Sequence, residues 1–193
     1  MPLQKQFDVQ KALDSAMDAF WTNGYEATSM QDLLQCMGIN RGSFYDTFGC
    51  KHDLFLEALR RFDQMHREDE FRVLSEKESA REAIISLFQH VTQECTCSAG
   101  KKGCFLVNTA LELSPRDKDA AAIVQQAFHD TELFFRRLIR RGQKQGEIPA
   151  TVKPTQTARA LLALLIGMRV LARASSPREV LVAIAREAEE LLQ

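Results

Sequence analysis

The sequence predicts an all-α protein of about nine helices, in which a small N-terminal three-helix bundle precedes a larger helical body. Apolar residues along the 193-residue chain recur every three or four positions rather than every two, which is the periodicity of helices. Glycine, proline and asparagine fall at intervals of helix length, where they are expected to start and stop helices. With 45% hydrophobic and 26% charged residues, the chain can bury a substantial core.

The N-terminal bundle is predicted from three short patterns. Thr28 begins a capping-box spacing that is expected to start the second helix. Gly38 breaks that helix, and Asn40 is expected to cap a third helix of about two turns. The first helix ends at Asn23-Gly24 and has one apolar face, formed by Val9, Ala12, Leu13, Ala16 and Phe20.

The larger body is predicted to begin with a long helix from about Lys51, after a break at Phe48-Gly49-Cys50. Its buried face is expected to extend as far as Met65. We expect this helix to join two domains, residues 1–50 and residues 51–193. The later helices are predicted from their start and stop signals, which are Cys104 and Leu113, Ser114-Pro115, Gly146, Pro154 and Ser176-Pro177.

Cysteine content and the lengths of apolar runs indicate the cellular compartment. Five cysteines are an odd number in a chain with an ample apolar core, which favours a reducing compartment over a disulfide scaffold. The N-terminal residues contain no apolar stretch typical of a secretory signal. The longest apolar run, 160–168, stops at Arg169 and is shorter than the roughly 20 residues of a membrane span. We therefore expect a cytoplasmic protein with no membrane partner.

Residues 28–45 have the pattern of a helix-turn-helix, a helix and a glycine-containing turn followed by a second helix. The second helix of such a unit lies in the major groove of DNA, with its N-terminal residues at the base edges. An arginine there can donate two hydrogen bonds to guanine, and small neighbours let the backbone approach the duplex. The predicted contacts with double-stranded DNA are Thr28, Asn40, Arg41, Gly42, Ser43, Tyr45 and Lys51.

A longer run of residues carries a family resemblance. Its elements are Ala16, Phe20, Gly24-Tyr25, Thr28-Ser29-Met30, Asp32-Leu33, Gly38-Ile39, Gly42-Ser43-Phe44-Tyr45, Phe48, Lys51 and Leu54, followed more weakly by Gly146-Glu147-Ile148, Pro154 and Gly167. In order and spacing this run resembles the TetR family of bacterial regulators. The resemblance implies a dimer formed through the last two helices, which usually represses and leaves its operator when an effector binds. It also implies that Thr28, Arg41, Gly42, Ser43, Tyr45 and Lys51 contact DNA.

The charge of the N-terminal segment is unusual for a DNA-binding domain. Residues 1–60 hold five lysines and arginines against eight acids, where a basic patch is the common footprint. Helix N-termini and neutral donors can still hold phosphates. We expect modest non-specific affinity and a shallow dependence of binding on salt.

The eighth predicted helix is apolar almost all round, from Ala158 to Leu171. Such a helix must be buried on every side. One side can meet its own domain and the other a second copy, together with the ninth helix, which predicts a homodimer with a two-fold axis. The operator would then be a palindrome.

The signal-receiving part is predicted from aromatic and sulfur residues. Phe88, Phe105 and Phe128, with Asn108 nearby, can line a small-molecule pocket or form a plain core. Cys104 is expected at a helix start beside Lys101-Lys102, which would lower the thiol pKa and make a reactive sensor. In that case a disulfide from Cys104 to Cys95 or Cys97 is conceivable, whereas Cys36 and Cys50 are expected to be packing residues.

Other functions find weaker support in the sequence. Asp63-x-x-His66 and His129-x-x-Glu132 are incomplete as a di-iron pattern, and the spacing of His90 to the later cysteines does not suit zinc. Phosphate-loop and nucleophile-elbow motifs are absent. We therefore expect no metal, no cofactor and no enzyme activity. The main alternative to a regulator is an all-helical small-molecule-binding protein without specific DNA binding.

Overall fold

The computed structural model describes residues 7–95 and 102–193, and it confirms the all-α prediction. In these ranges a π-helical segment, Asp63–Glu68, joins α4 to α5 without a break, so that the described chain forms nine helical rods and no strand. Cys97 and Lys101 lie outside the described residues, as do the side chains of His66 and Cys95. The helices are α1 (Val9–Asn23), α2 (Met30–Met37), α3 (Arg41–Phe48), α4 (Lys51–Phe62), α5 (Asp69–Ser75), α6 (Ala80–Cys95), α7 (Phe105–Glu112), α8 (Lys118–Gln145), α9 (Pro154–Arg173) and α10 (Arg178–Glu190).

The first three helices end and begin close to the predicted positions, with one correction. Ser29 rather than Thr28 is the N-cap of α2, and its hydroxyl and the Asp32 carboxylate each bond the other's backbone N–H. Thr28 is fully buried, and its hydroxyl donates to the Gly24 carbonyl at 2.6 Å. Gly38 ends α2 in the left-handed conformation, at φ +65°, as a helix-terminating glycine does.

The prediction that one buried face runs from α4 to Met65 was wrong. Burial ends at Phe62, and Met65 is 42% exposed. The π-helical segment explains the difference, because each of its turns holds more residues than an α-turn and rotates the following side chains away from the previous face. The segment turns Met65 towards a cavity that is described below.

The predicted start of α8 at Ser114-Pro115 was also wrong. Asp117 is the N-cap, and one of its carboxylate oxygens accepts from the N–H groups of Asp119 and Ala120. A carboxylate satisfies two free helix N–H groups there, while the Ser114 hydroxyl turns back to the Thr109 carbonyl. Ser176 likewise makes no capping bond, and α10 begins at Arg178 after Pro177.

Two apolar clusters form the core. The first joins α1–α4 to α7 and the first half of α8, with Phe20, Phe55 and Phe105 among its buried rings. The second joins α6, the second half of α8, α9 and α10. Helix α7 therefore packs on the N-terminal bundle, although it belongs in sequence to the larger body.

Helix α9 is long and apolar enough to cross a membrane by length and composition alone. The sequence estimate missed this because it stopped counting at Arg169. A core helix passes the same test, and α9 packs on α6, α8 and α10. Within one chain α9 leaves Ala163 exposed and Val170 38% exposed, which leaves open the side that was expected to meet a second copy.

Candidate DNA-binding surface and ligand cavity

Helix α3 presents one side to solvent and anchors the other. Phe44 and Phe48 are buried beneath it, and the Phe44 ring meets the Phe48 ring at 5.9 Å. Arg41 and Gly42 are exposed, and Tyr45 is 49% exposed. A short helix fixed by two phenylalanines thus holds its first turn outward, which is the geometry required of a recognition helix.

The other predicted DNA contacts take different positions. The Asn40 side chain accepts from the Ser43 N–H at 2.8 Å, so its oxygen caps α3 while the residue stays exposed. The Lys51 ammonium lies 4.4 Å from the Tyr25 ring centroid, at the start of α4. Thr28 is withdrawn from the surface, and its buried, bonded hydroxyl counts against a phosphate contact by that side chain.

Asp46 is the member of this surface that the sequence interpretation missed. It is exposed on α3 directly after Tyr45. A carboxylate there repels phosphates but can accept from the exocyclic amine of cytosine in the major groove. Because α3 turns by 100° per residue, the exposure of Arg41, Gly42 and Tyr45 already places Asp46 on the same side.

Most of the other acids in the N-terminal bundle have structural partners. Asp8 and Asp32 accept from backbone N–H groups at helix starts, and the Asp53 carboxylate accepts from the Cys50 thiol. Asp14 is paired with Arg61, and Asp18 with Lys102. Both cations lie beyond residue 60, so the surplus of negative charge counted in the first 60 residues overstates the charge that DNA would meet.

A cavity of about 560 Å³ lies in the larger body, and its wall is built by α1, α4–α9 and the π-helical segment. Of the predicted sensor residues, Cys104 and Phe128 line it. Phe88 and Phe105 are buried in the two apolar clusters and do not reach it, and Asn108 donates to the Lys102 carbonyl at 2.9 Å. For these three residues the core or structural interpretation is the better one.

The cavity has a charged end that the sequence analysis did not find. Arg169 of α9 donates to Glu94 of α6 at 2.8 Å, and His90 lies 3.3 Å from the same carboxylate. Glu70 of α5 completes the group, and burial raises its pKa, with Glu94 adding to the effect and Arg169 and His90 opposing it. The available signal was Arg169, an arginine set within an apolar helix.

The prediction that Cys104 is an activated thiol was wrong about its pKa. Burial raises the pKa of the Cys104 thiol, and the nearby Arg169 guanidinium offsets this in part. Cys104 is the N-cap of α7, but its side chain makes no capping bond. The Lys102 ammonium is paired with Asp18 and lies 5.4 Å from the Trp21 ring centroid.

Three possible metal ligands come together where α4 and α8 begin. Atoms of His52, Asp117 and Asp119 lie within 4.8 Å of one another. However, one Asp117 oxygen accepts from the two N–H groups at the start of α8, and the other lies 2.6 Å from His52 Nε2. A His–Asp pair that joins the two helices explains this arrangement.

Helix α7 touches the cavity and the N-terminal bundle at once. Leu106 and Val107 line the cavity, whereas Phe105 packs on the Phe55 and Phe62 rings at 5.5 and 5.7 Å. The Trp21 indole N–H donates to the Gly103 carbonyl just before α7, at 3.1 Å.

The other end of α7 is fixed to the bundle in the same way. The Glu112 carboxylate accepts from the Glu26 N–H at 3.1 Å. Gly24 lies so close that a Cβ there would be 2.7 Å from a Glu112 oxygen. Any displacement of α7 by a molecule in the cavity therefore reaches the bundle directly.

A three-helix bundle with an exposed α3, joined to a helical body with a cavity, defines a helix-turn-helix transcription regulator. Residues 12–58 match the family model for bacterial regulatory proteins of the tetR family. Residues 80–188 match the model for the tetracyclin repressor-like C-terminal domain. The chain belongs to the TetR family and is a DNA-binding transcriptional regulator.

Individual relatives agree with this assignment. The chain is 32% identical over 182 residues to the HTH-type transcriptional repressor ComR of Escherichia coli (strain K12), covering 94% of this chain and 87% of ComR. It is 34% identical over 148 residues to the uncharacterized HTH-type transcriptional regulator YezE of Bacillus subtilis (strain 168), covering 77% of this chain and 76% of YezE.

Solved structures show the same likeness. A cysteine mutant of the TetR family regulator CifR, complexed with 26-bp double-strand operator DNA, has a TM-score of 0.86 and 32% identity over 97% of this chain and 98% of that chain. The reduced form of E. coli NemR has a TM-score of 0.87 and 19% identity over 95% of this chain and 96% of that chain, which shows a shared fold.

The raised pKa of Cys104 predicts slow alkylation. Because the thiolate is the nucleophile, at pH 7.5 iodoacetamide should modify Cys104 at least about tenfold more slowly in the folded protein than in urea. Mass spectrometry of the tryptic peptide 103–116 measures the rate, and the exposed Cys50 serves as an internal comparison. Modification of Cys104 at the unfolded rate or faster would contradict the assigned pKa direction.

Proposed function

We propose that this regulator represses transcription by binding a palindromic operator as a homodimer and leaves the DNA when a small molecule fills the cavity. One observation carries the proposal: α7 forms part of the cavity wall and is bonded at both ends to the helix-turn-helix bundle. Repression is supported by ComR, which is named a repressor, and operator binding by the CifR complex.

The helix-turn-helix bundle supplies the DNA contacts in this proposal. Arg41 reads a base edge from the exposed first turn of α3, and Gly42 allows the backbone close to the groove. Tyr45 and Lys51 hold phosphates, and the capped start of α3 adds its N–H groups. We place the domain boundary at residues 50 and 51, although α4 shares a core with the bundle as far as Phe62.

Effector release follows from the position of α7. A ligand that enters the cavity must press on Leu106 and Val107 or draw them inward. Because the two ends of α7 are held by Trp21 and Glu26, the same movement shifts α1 and the start of α2. Recognition helices that no longer match successive grooves lose affinity, and by linkage DNA and effector weaken each other's binding.

The homodimer is supported by an exposed stripe on each of the last two helices. Along α9 the stripe consists of Ala163, Val170 and the C-cap Ala174, with the half-buried Gly167 between them. Along α10 it includes Val180, which is 39% exposed, and the C-cap Leu191, which is 36% exposed. A Cβ at Gly167 would meet no atom within 4 Å. Small residues with open space above them allow a second copy to approach closely, and regulators of this family bind DNA as dimers.

The chemical nature of the signal has two candidates. The first is a molecule that binds reversibly in the cavity, and the charged end formed by Glu70 and Arg169 favours it. The second is an electrophile that alkylates Cys104, which the position of this thiol on the cavity wall favours and its raised pKa opposes. We place the protein in the cytoplasm, where its DNA target lies, and assign it no catalytic role.

Replacement of Arg41 tests the DNA-binding surface. In a gel shift with DNA upstream of its own gene, Arg41→Ala should weaken binding by about 1–3 kcal/mol, because a bidentate contact with a base is lost. Arg60→Ala removes an exposed arginine in the last turn of α4, away from α3, and should bind like the wild type.

Two results would contradict this assignment. If Arg41→Ala binds as tightly as Arg60→Ala, α3 does not read the operator. If the wild-type protein shows no preference for any genomic fragment over random DNA, a small-molecule-binding protein without DNA binding is the better interpretation.

Replacement of Gly167 tests the dimer. Gly167→Arg meets open space within one chain and gains helix propensity of about 1 kcal/mol, so the fold should persist. Between two copies the side chain blocks close approach, and light scattering should report a monomer. Leu111→Arg, at an exposed leucine on α7, is the control and should remain dimeric. A dimeric Gly167→Arg protein would place the interface elsewhere.

A further inference from the structure

The cavity contains a carboxylate whose charge is unmatched. Glu70 makes no hydrogen bond or ion pair with any residue in 7–95 or 102–193 whose side chain is described. The cations around the cavity already have acidic partners, since Arg169 is bonded to Glu94 and Arg67 to Asp63. Asp69, a further acid of the wall, is paired with Arg72. With His90 neutral, the spare charge of the cavity is therefore negative and belongs to Glu70.

The rest of the wall suits an apolar, positively charged guest. Four aromatic rings line it, those of Trp21, Phe62, Phe71 and Phe128, and leucine, isoleucine and valine side chains cover much of the remainder. The Trp21 and Phe71 rings already face the Lys102 ammonium and the Arg67 guanidinium, so a cationic guest would lie against Phe62 and Phe128. Aromatic faces attract organic cations more strongly when water is excluded. A volume of about 560 Å³ lies within the range of sites that enclose drug-sized molecules.

We propose that the effector is a lipophilic organic cation, an ammonium or a comparable charged nitrogen compound, whose charge pairs with Glu70 while its apolar body lies against the aromatic wall. This inference rests on the proposal above that the cavity is the effector site, and it adds the chemical class of the ligand.

The ionisation of Glu70 agrees with this assignment. Burial raises the pKa of the Glu70 carboxyl, so that its charged form is disfavoured without a counter-charge beside it. An arriving cation supplies the missing counter-charge and stabilises the carboxylate. Arg169, which also faces Glu70, cannot do this fully because it is bonded to Glu94. His90 lies 3.3 Å from the same Glu94 carboxylate and carries a positive charge only when it is protonated.

An organic acid is the competing ligand, because the Arg169 guanidinium has further N–H groups. To use them it would have to approach Glu94, which Arg169 already binds at 2.8 Å, and Glu70 beside it. Two carboxylates around one guanidinium disfavour a third. The arrangement therefore favours a cation over an anion of the same shape.

The single tryptophan of the chain makes the test direct. Trp21 lines the cavity, so its fluorescence reports occupancy. Three probes share one carbon skeleton and differ in charge: 4-phenylbutylammonium, 4-phenylbutanol and 4-phenylbutyrate. In the wild-type protein the ammonium should bind at least about tenfold more tightly than the alcohol, and the butyrate more weakly than either.

Glu70→Gln should abolish this preference and bring the ammonium to the affinity of the alcohol. The control is Glu76→Gln, an exposed glutamate just beyond α5, which should behave as the wild type. Equal or tighter binding of the butyrate to the wild-type protein overturns the inference without any variant. So does ammonium binding that Glu70→Gln leaves unchanged.

Operator binding in the presence of each probe separates this inference from the proposed function. Release of DNA by the butyrate would keep the cavity as the effector site while overturning the cation. If the ammonium binds through Glu70 and the protein stays on its operator, the charge preference stands and the effector role of the cavity fails.

Discussion

The placement of α7 is the constraint on which the rest of the molecule depends. Its Phe105 ring is locked between the Phe55 and Phe62 rings of α4, while Leu106 and Val107, next in sequence, face the cavity. A close-packed core transmits displacement rather than absorbing it. A movement of α7 at the cavity wall therefore also moves the side chains of α4 that pack on it.

The polar contacts of α7 join it to particular places in the N-terminal bundle. One end receives the Trp21 indole N–H and the other accepts from the Glu26 N–H, so that the contacts lead to the last turn of α1 and to the turn between α1 and α2. The His52–Asp117 pair then ties the start of α4, just after the recognition helix, to the start of α8. Displacement of α7 thus has two polar routes into the DNA-binding bundle, and the His52–Asp117 pair is a separate link from α8.

Much of the fold could be predicted because helix ends depend on residues that are close together in the sequence. Gly38, Asn40 and Gly146 end or cap helices as their backbone preferences require. The errors arose where two local solutions competed. Ser29 took the cap expected of Thr28, and Asp117 took the one expected of Ser114, because in each case an acid could satisfy additional N–H groups.

The exposed recognition helix was also predictable, since its residues are contiguous. The charged end of the cavity was not, because Glu70, Glu94 and Arg169 come from three helices that meet only in the folded chain. The π-helical segment also could not be predicted. The apolar pattern continues through it, and sequence periodicity does not show that the apolar side of α4 is rotated there.

The central claim is that a filled cavity is felt by the DNA-binding bundle through α7. Leu165→Trp fills the cavity from α9, far from the recognition helix, and operator affinity by fluorescence anisotropy is the measurement. The affinity of Leu165→Trp for the operator should be at least about tenfold below that of the wild type. The affinity of Leu111→Trp, on the exposed side of α7, should be unchanged. Wild-type affinity in a folded Leu165→Trp protein would contradict the central claim.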